Sequence, residues 1–118
     1  MKRTLVVDDN AVNRKLAVAL LKRRGWATEE AENGKAALQR LAESAPFDCV
    51  LLDISMPEMD GEEVCRRIRA TPAWAHIRVV AYTAHAIESE KQRIMSAGFD
   101  CILVKPITAQ ELNRALPD

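Results

Sequence analysis

Apolar runs of strand length alternate with segments of helical period along this chain, five times over. Few architectures satisfy that alternation. A strand, a helix and a further strand close as a right-handed crossover, and successive crossovers lay the strands parallel with helices on both faces of the sheet. Thr4-Leu5-Val6-Val7, Cys49-Val50-Leu51-Leu52, Val79-Val80-Ala81-Tyr82 and Cys101-Ile102-Leu103-Val104 are nearly continuous in apolar residues, as strands are when both faces are covered. Thr28 to Ala31 is more polar and suits an edge. With 118 residues the chain has the size of one ordinary domain and can bury a core without staples.

The segments between the strands carry helix signals. Asn10 is placed to cap helix 1, which sets Val12, Leu16 and Leu20 on one face and ends at Gly25. Asn33-Gly34 opens helix 2, with Ala37, Leu38 and Leu41 facing inward. Asp60 with Glu63, and Thr108 with Glu111, have the spacing of capping boxes for helices 3 and 5. Val64 and Ile68 form the inner face of helix 3, and Pro72 breaks the chain after it. Helix 4 is expected from about Ala86 to Ala97, with Ile87, Ile94 and Met95 as its apolar stripe and Gly98 at C′. No repeat, linker or low-complexity tract interrupts the pattern, so residues 1–118 are expected to form a single domain with no room for an output domain.

Composition excludes several classes of function. Lys plus Arg number 17, as do Asp plus Glu, and that balance gives no support for direct nucleic-acid binding. No apolar stretch has the length of a membrane span, and Met1-Lys2-Arg3 leads into a strand without a signal-peptide core. Cys49, Cys65 and Cys101 are odd in number and lack CxxC spacing, which argues against disulfides or a zinc site. They read as reduced packing residues of a cytoplasmic protein.

The chemistry lies at the strand ends. Asp8-Asp9, Asp53, Thr83 and Lys105-Pro106 each follow an apolar run. In an open parallel sheet the carboxyl edge is where ligands bind. Two carboxylates about 5 Å apart repel by roughly 3 kcal/mol at an effective dielectric near 20, so converging acids need a compensating charge. An all-oxygen donor set with room for water suits Mg²⁺. Such a site recruits a phosphoryl group, whose transfer depends mostly on positioning and charge neutralisation. Lys105 supplies a positive point charge, Thr83 a hydroxyl, and Asp53 a carboxylate nucleophile that forms an acyl phosphate. Each of these residues alone reads as structural; their agreement at four strand ends carries the expectation.

At these residues, together with Met56-Pro57-Glu58-Met59-Asp60-Gly61 and Thr83-Ala84, the chain closely resembles the receiver domains of bacterial two-component response regulators. The resemblance implies a flavodoxin-like (βα)5 three-layer sandwich with a parallel five-stranded sheet of order 2-1-3-4-5. It implies phosphoryl transfer to Asp53 from a histidine of a sensor kinase or phosphotransfer protein. Mg²⁺ is then expected on Asp9, Asp53 and the backbone carbonyl of Ser55, with Asp8 acting largely through water. Lys105 contacts the phosphoryl group, Thr83 is the switch hydroxyl, and the Lys105–Pro106 bond is cis. Ser55 and His85 occupy positions that tune the lifetime of the phosphoryl group. Val12, Asn13 and Leu16 of helix 1 face the phosphodonor, and the helix 4–strand 5–helix 5 face meets downstream partners. By this reading the chain is a signalling domain that catalyses only its own phosphorylation and dephosphorylation.

One position departs from the family. Ile102 stands where receivers often carry Tyr or Phe, so signalling is expected to use backbone shifts in the loop after strand 4 and in helix 4. Strand alternation points Tyr82 to the opposite face from Thr83, which keeps it from replacing that aromatic ring. Trp74 reads as a packing anchor, and His76 is assigned no role. A haloacid-dehalogenase-type phosphohydrolase would need an acid two residues after Asp53, where Ser55 stands. A flavin carrier would be repelled by Asp8-Asp9. A pseudo-receiver that never takes phosphate usually lacks one of the acidic, Thr or Lys positions, and this chain keeps all of them. The wording Asp8-Asp9-Asn10-Ala11-Val12-Asn13-Arg14 leans toward receivers of hybrid kinases and phosphorelays.

Overall fold

A computed structural model describes residues 2–44, 46–84 and 88–116. The strands are β1 (Arg3–Val7), β2 (Ala27–Ala31), β3 (Cys49–Asp53), β4 (Arg78–Thr83) and β5 (Cys101–Val104). The helices are α1 (Ala11–Arg23), α2 (Gly34–Glu43), α3 (Gly61–Ala70), α4 (Glu88–Ser96) and α5 (Ala109–Ala115), and Pro72–Trp74 adds one 3₁₀ turn. All strand pairs are parallel, and the sheet order is β2-β1-β3-β4-β5. This is the flavodoxin-like arrangement expected, with β2, the most polar strand, at one edge.

The period of two along each strand divides the core into two layers. Leu5, Val7, Val50, Leu52, Val79 and Ala81 face α2, α3 and α4, where Ala37, Leu41, Val64, Ile68 and Ile94 complete one cluster. Val6, Leu51, Val80, Tyr82 and Leu103 face α1 and α5, where Ala17, Val18, Leu21, Leu112 and Ala115 complete the other. Trp74 packs on the rim of the first cluster, as a packing anchor would. Cys49 and Cys65 are buried and Cys101 is half-buried, and all three are free thiols. Burial pushes the Cys65 thiol up to about 11.

The caps form at the expected residues but with one difference. Asn10, Asn33, Asp60 and Thr108 each accept the backbone N–H three residues on. The reciprocal half of the two capping boxes is replaced: Glu63 pairs with Arg66 and Arg67, and Glu111 with Arg114. An arginine one turn away offers a charged partner, a better match for a carboxylate than a single N–H. Gly25 ends α1 with φ +82°, a left-handed conformation that favours glycine.

Two helix faces differ from what amphipathic periodicity alone suggests, although for α1 the exposure suits the surface that the resemblance assigns to the phosphodonor. Ala17, Val18 and Leu21 are the buried stripe of α1, while Val12 is 78% and Leu16 41% exposed. On α4, Ile94 is buried but Met95 is 43% exposed. Ala86, Ile87 and the tuning position His85 lie outside the described residues. Among the described residues no helix is long and apolar enough to cross a membrane.

Candidate functional site

The site is built by parity and register. Val7 pairs with Leu52, Asp53 with Tyr82, and Tyr82 with Leu103. Asp8, Asp53, Tyr82 and Lys105 therefore share the α1/α5 side of the sheet at its carboxyl edge. The chain is held to the ladder just past the strand ends: the Asp8 N–H donates to the Ala31 carbonyl, Ile54 to Tyr82 and Lys105 to Thr83. The Lys105–Pro106 bond is cis, as the resemblance implies.

Gly61 sets the position of Asp53 from behind. Its N–H donates to the Ile54 carbonyl at 3.0 Å, and a β-carbon there would lie 2.3 Å from the Asp53 carbonyl oxygen. Only a residue without a side chain lets the start of α3 approach the end of β3 this closely.

Asp8, Asp9 and Asp53 converge, each presenting a carboxylate oxygen within 4.8 Å of the others. Asp8 and Asp53 are buried and Asp9 is exposed. The Lys105 ammonium lies 3.4 Å from Asp8 Oδ2 and 3.2 Å from Asp53 Oδ1. Asp8 Oδ1 accepts the Asn10 N–H at 2.8 Å, and its Oδ2 accepts the Tyr82 hydroxyl at 2.5 Å. Arg14 donates to the Asp8 carbonyl and pairs with Glu30, which ties α1 to β2 beside the site. The Ser55 N–H reaches Asp53 Oδ1 at 3.3 Å.

The two buried carboxyls diverge electrostatically. Burial raises the Asp8 carboxyl, but hydrogen bonds from Tyr82 and Asn10 and the charge of Lys105 outweigh it, and Asp8 is held below its ordinary value. Asp53 has fewer donors. Burial, reinforced by the Asp8 charge, wins over Lys105 and pushes Asp53 up to about 6. Burial beside a second acid makes the ionised Asp53 costly, and a nearby cation would relieve that cost. The donor set is all oxygen and partly open to solvent through Asp9, which fits a hard divalent cation.

Of the residues singled out from sequence, Asp8, Asp9, Asp53 and Lys105 come together directly. Thr83 is buried at the end of β4, on the opposite face from Tyr82, and its carbonyl holds Lys105. Ile102 is half-buried against the first core cluster. Ser55, Ala84 and Pro106 are exposed at the rim. Strand alternation alone does not bring Tyr82 to this cluster. Its ring does lie on the face that alternation assigns it, but a tyrosine is long enough for its hydroxyl to reach Asp8. The signal was the chemistry of a buried phenol, which needs a hydrogen-bond partner.

Comparison with known proteins identifies the family. The sequence model of the response regulator receiver domain matches residues 4–117, and the chain belongs to that family. It is 39% identical over 112 residues, 95% of its length, to the signal transduction histidine-protein kinase BarA of Escherichia coli. It is 39% identical over 117 residues, 97% of its length, to the sensor histidine kinase GacS of Pseudomonas protegens. The chain spans only 12% and 13% of those two kinases. Among solved structures it superposes on chemotaxis protein CheY4 of Vibrio cholerae with a TM-score of 0.89 at 29% identity, covering 98% of this chain and 99% of that one. It also superposes on the receiver domain of sensor histidine kinase PA1611 of Pseudomonas aeruginosa, which has a magnesium ion coordinated in its active-site cleft. There the TM-score is 0.86 at 32% identity, covering 96% of this chain and 92% of that one. The chain is thus a receiver domain of two-component signalling, homologous to those of hybrid histidine kinases and CheY-like regulators.

Proposed function

We propose that this receiver domain accepts a phosphoryl group on Asp53 in a Mg²⁺-dependent reaction and switches conformation to control partner binding. The observation that carries this reading is the convergence of three carboxylate oxygens within 4.8 Å, with Lys105 bridging Asp8 and Asp53. Asp8, Asp9, Asp53 and the Ser55 carbonyl would hold Mg²⁺, whose charge would neutralise the incoming phosphoryl oxygens. One Asp53 oxygen bonds to phosphorus as the P–N bond of a phosphohistidine breaks, and the leaving imidazole nitrogen takes its proton from water. The Lys105 ammonium, already 3.2 Å from Asp53, pairs with the phosphoryl oxygens. Thr83 closes over them from β4, and α4 shifts with it, with Ile102 as the smaller packing element behind.

The phosphodonor is a sensor histidine kinase or a histidine phosphotransfer protein in the cytoplasm. Exposed Val12 and Leu16 beside the acidic pair offer it an apolar landing on α1. Downstream partners meet the α4–β5–α5 face, where Met95 and Val104 are exposed. Incubation with MgCl₂ and a low-molecular-weight acyl phosphate, followed by intact mass measurement, tests the reading. Wild type is expected to gain one phosphoryl group and Asp53→Asn none. A wild type that stays unmodified, or an Asp53→Asn chain that is modified equally, overturns it.

A further inference from the structure

Tyr82 is the sole tyrosine of the chain and is fully buried. Its ring packs in the α1/α5 core with Val6, Leu51 and Leu103. Any apolar side chain of similar volume would fill that space. The phenol adds one thing, an O–H, and gives it to Asp8 Oδ2 at 2.5 Å. The same ring lies under Lys105, whose ammonium is 4.7 Å from its centroid.

The acceptor count of Asp8 shows what that donation does. A carboxylate offers about four lone-pair sites. The Asn10 N–H takes one on Oδ1, and Tyr82 and Lys105 both address Oδ2. Little of the Asp8 carboxylate is left for a cation or for cation-bound water. A short bond from a phenol to a carboxylate is also stronger than a neutral one, so it draws off the electron density a divalent ion would use.

We propose that Tyr82 is a positioning residue that shares the charge of Asp8 with any bound cation: its hydroxyl, on Oδ2 beside Lys105, competes with Mg²⁺ for that oxygen and so sets how much Mg²⁺ the site requires. The proposal rests on the reading that the carboxylate cluster binds Mg²⁺. Tyr82→Phe keeps the ring under Lys105 and returns one acceptor site to Asp8.

Two measurements on the full chain test it. Calorimetric titration with MgCl₂ is expected to show Tyr82→Phe binding about tenfold more tightly than wild type, the scale of one charge-assisted hydrogen bond. Thermal melts are expected to show Tyr82→Phe below wild type without Mg²⁺, with the gap narrowing at saturating Mg²⁺. A merely structural tyrosine would give unchanged Mg²⁺ affinity and a constant melting deficit, and that result overturns the proposal alone. Weaker Mg²⁺ binding by the variant overturns it as well. Absence of Mg²⁺ binding in both chains overturns the reading of the cluster and the proposal with it. Should Tyr82→Phe fail to fold, wild type labelled with ¹³Cζ-tyrosine gives a single resonance. That resonance is expected to move in step with Mg²⁺ saturation, and a stationary one refutes the competition.

Discussion

Replacing Asp53 by Asn should stabilise the metal-free protein, and the size of the gain follows from the site. The Asp53 carboxyl is raised from 3.8 to about 6, first by burial and then by the Asp8 charge. The unfolded chain releases this proton near 3.8 while the folded chain keeps it to about 6. Between those values the folded state binds more protons, so stability falls as pH rises. A shift of about two units is worth ~3 kcal/mol, which sets the upper limit of the gain at pH 8. An unfolding entropy of roughly 2.1 cal/mol/K per residue over 118 residues makes one kcal/mol about 4 °C, so the melting temperature should rise by up to about 12 °C. Differential scanning calorimetry in a chelator at pH 8 and at pH 4 reads the effect. The gain should be present at pH 8, nearly absent at pH 4, and smaller at pH 8 once excess MgCl₂ is added. An Asp53→Asn chain that melts at or below wild type at pH 8, or shows the same gain at both pH values, would refute the electrostatic reasoning.

Thr4 is fully buried, and its hydroxyl has no hydrogen-bond partner among the described residues. Thr4→Val keeps the shape and removes the stranded group, so the urea midpoint should rise by the equivalent of about 1 kcal/mol; an unchanged midpoint counts against it. Gly61→Ala places a β-carbon 2.3 Å from the Asp53 carbonyl oxygen. It should cost about 1–3 kcal/mol of stability by overpacking and weaken Mg²⁺ binding by displacing Asp53, both measurable on the purified chain. Protons compete with Mg²⁺ at Asp53, so the apparent Mg²⁺ affinity should be level above pH 6 and fall by roughly tenfold per pH unit below it. A flat profile from pH 7 to pH 5 would contradict the raised Asp53 value.

Residues differ in how much of their role was legible in the sequence. β1, β3 and β4 announce themselves because burial on both faces leaves almost no polar residue in them, and β5 is as apolar although it is an edge strand with Val104 exposed. The polar residue that does appear at each end then stands out, which is why Asp8, Asp53, Thr83 and Lys105 could be named before the fold was seen. Helix faces were less legible. Val12 and Leu16 are apolar and correctly spaced, yet they are exposed while Ala17, Val18 and Leu21 form the buried stripe of α1. Periodicity reports which residues share a face, and only the position of the sheet decides whether that face is covered. Glu63 and Glu111 had the spacing of capping boxes, but nearby arginines outcompete a backbone N–H for a carboxylate. For Tyr82 the limit lies in side-chain reach. Alternation fixes the side of the sheet on which a side chain starts, and the reach of a phenol decides where its polar end finishes.

The electrostatic centre of this picture is that Asp8, Asp9 and Asp53 crowd their charge at the sheet edge and take up a divalent cation there. Calorimetric titration of MgCl₂ into wild type and Asp53→Asn at pH 8 measures it directly. Saturable one-site binding by wild type, weakened at least about tenfold by Asp53→Asn, is the expected result. Equal binding by the two chains, or no saturable heat from wild type, would contradict it.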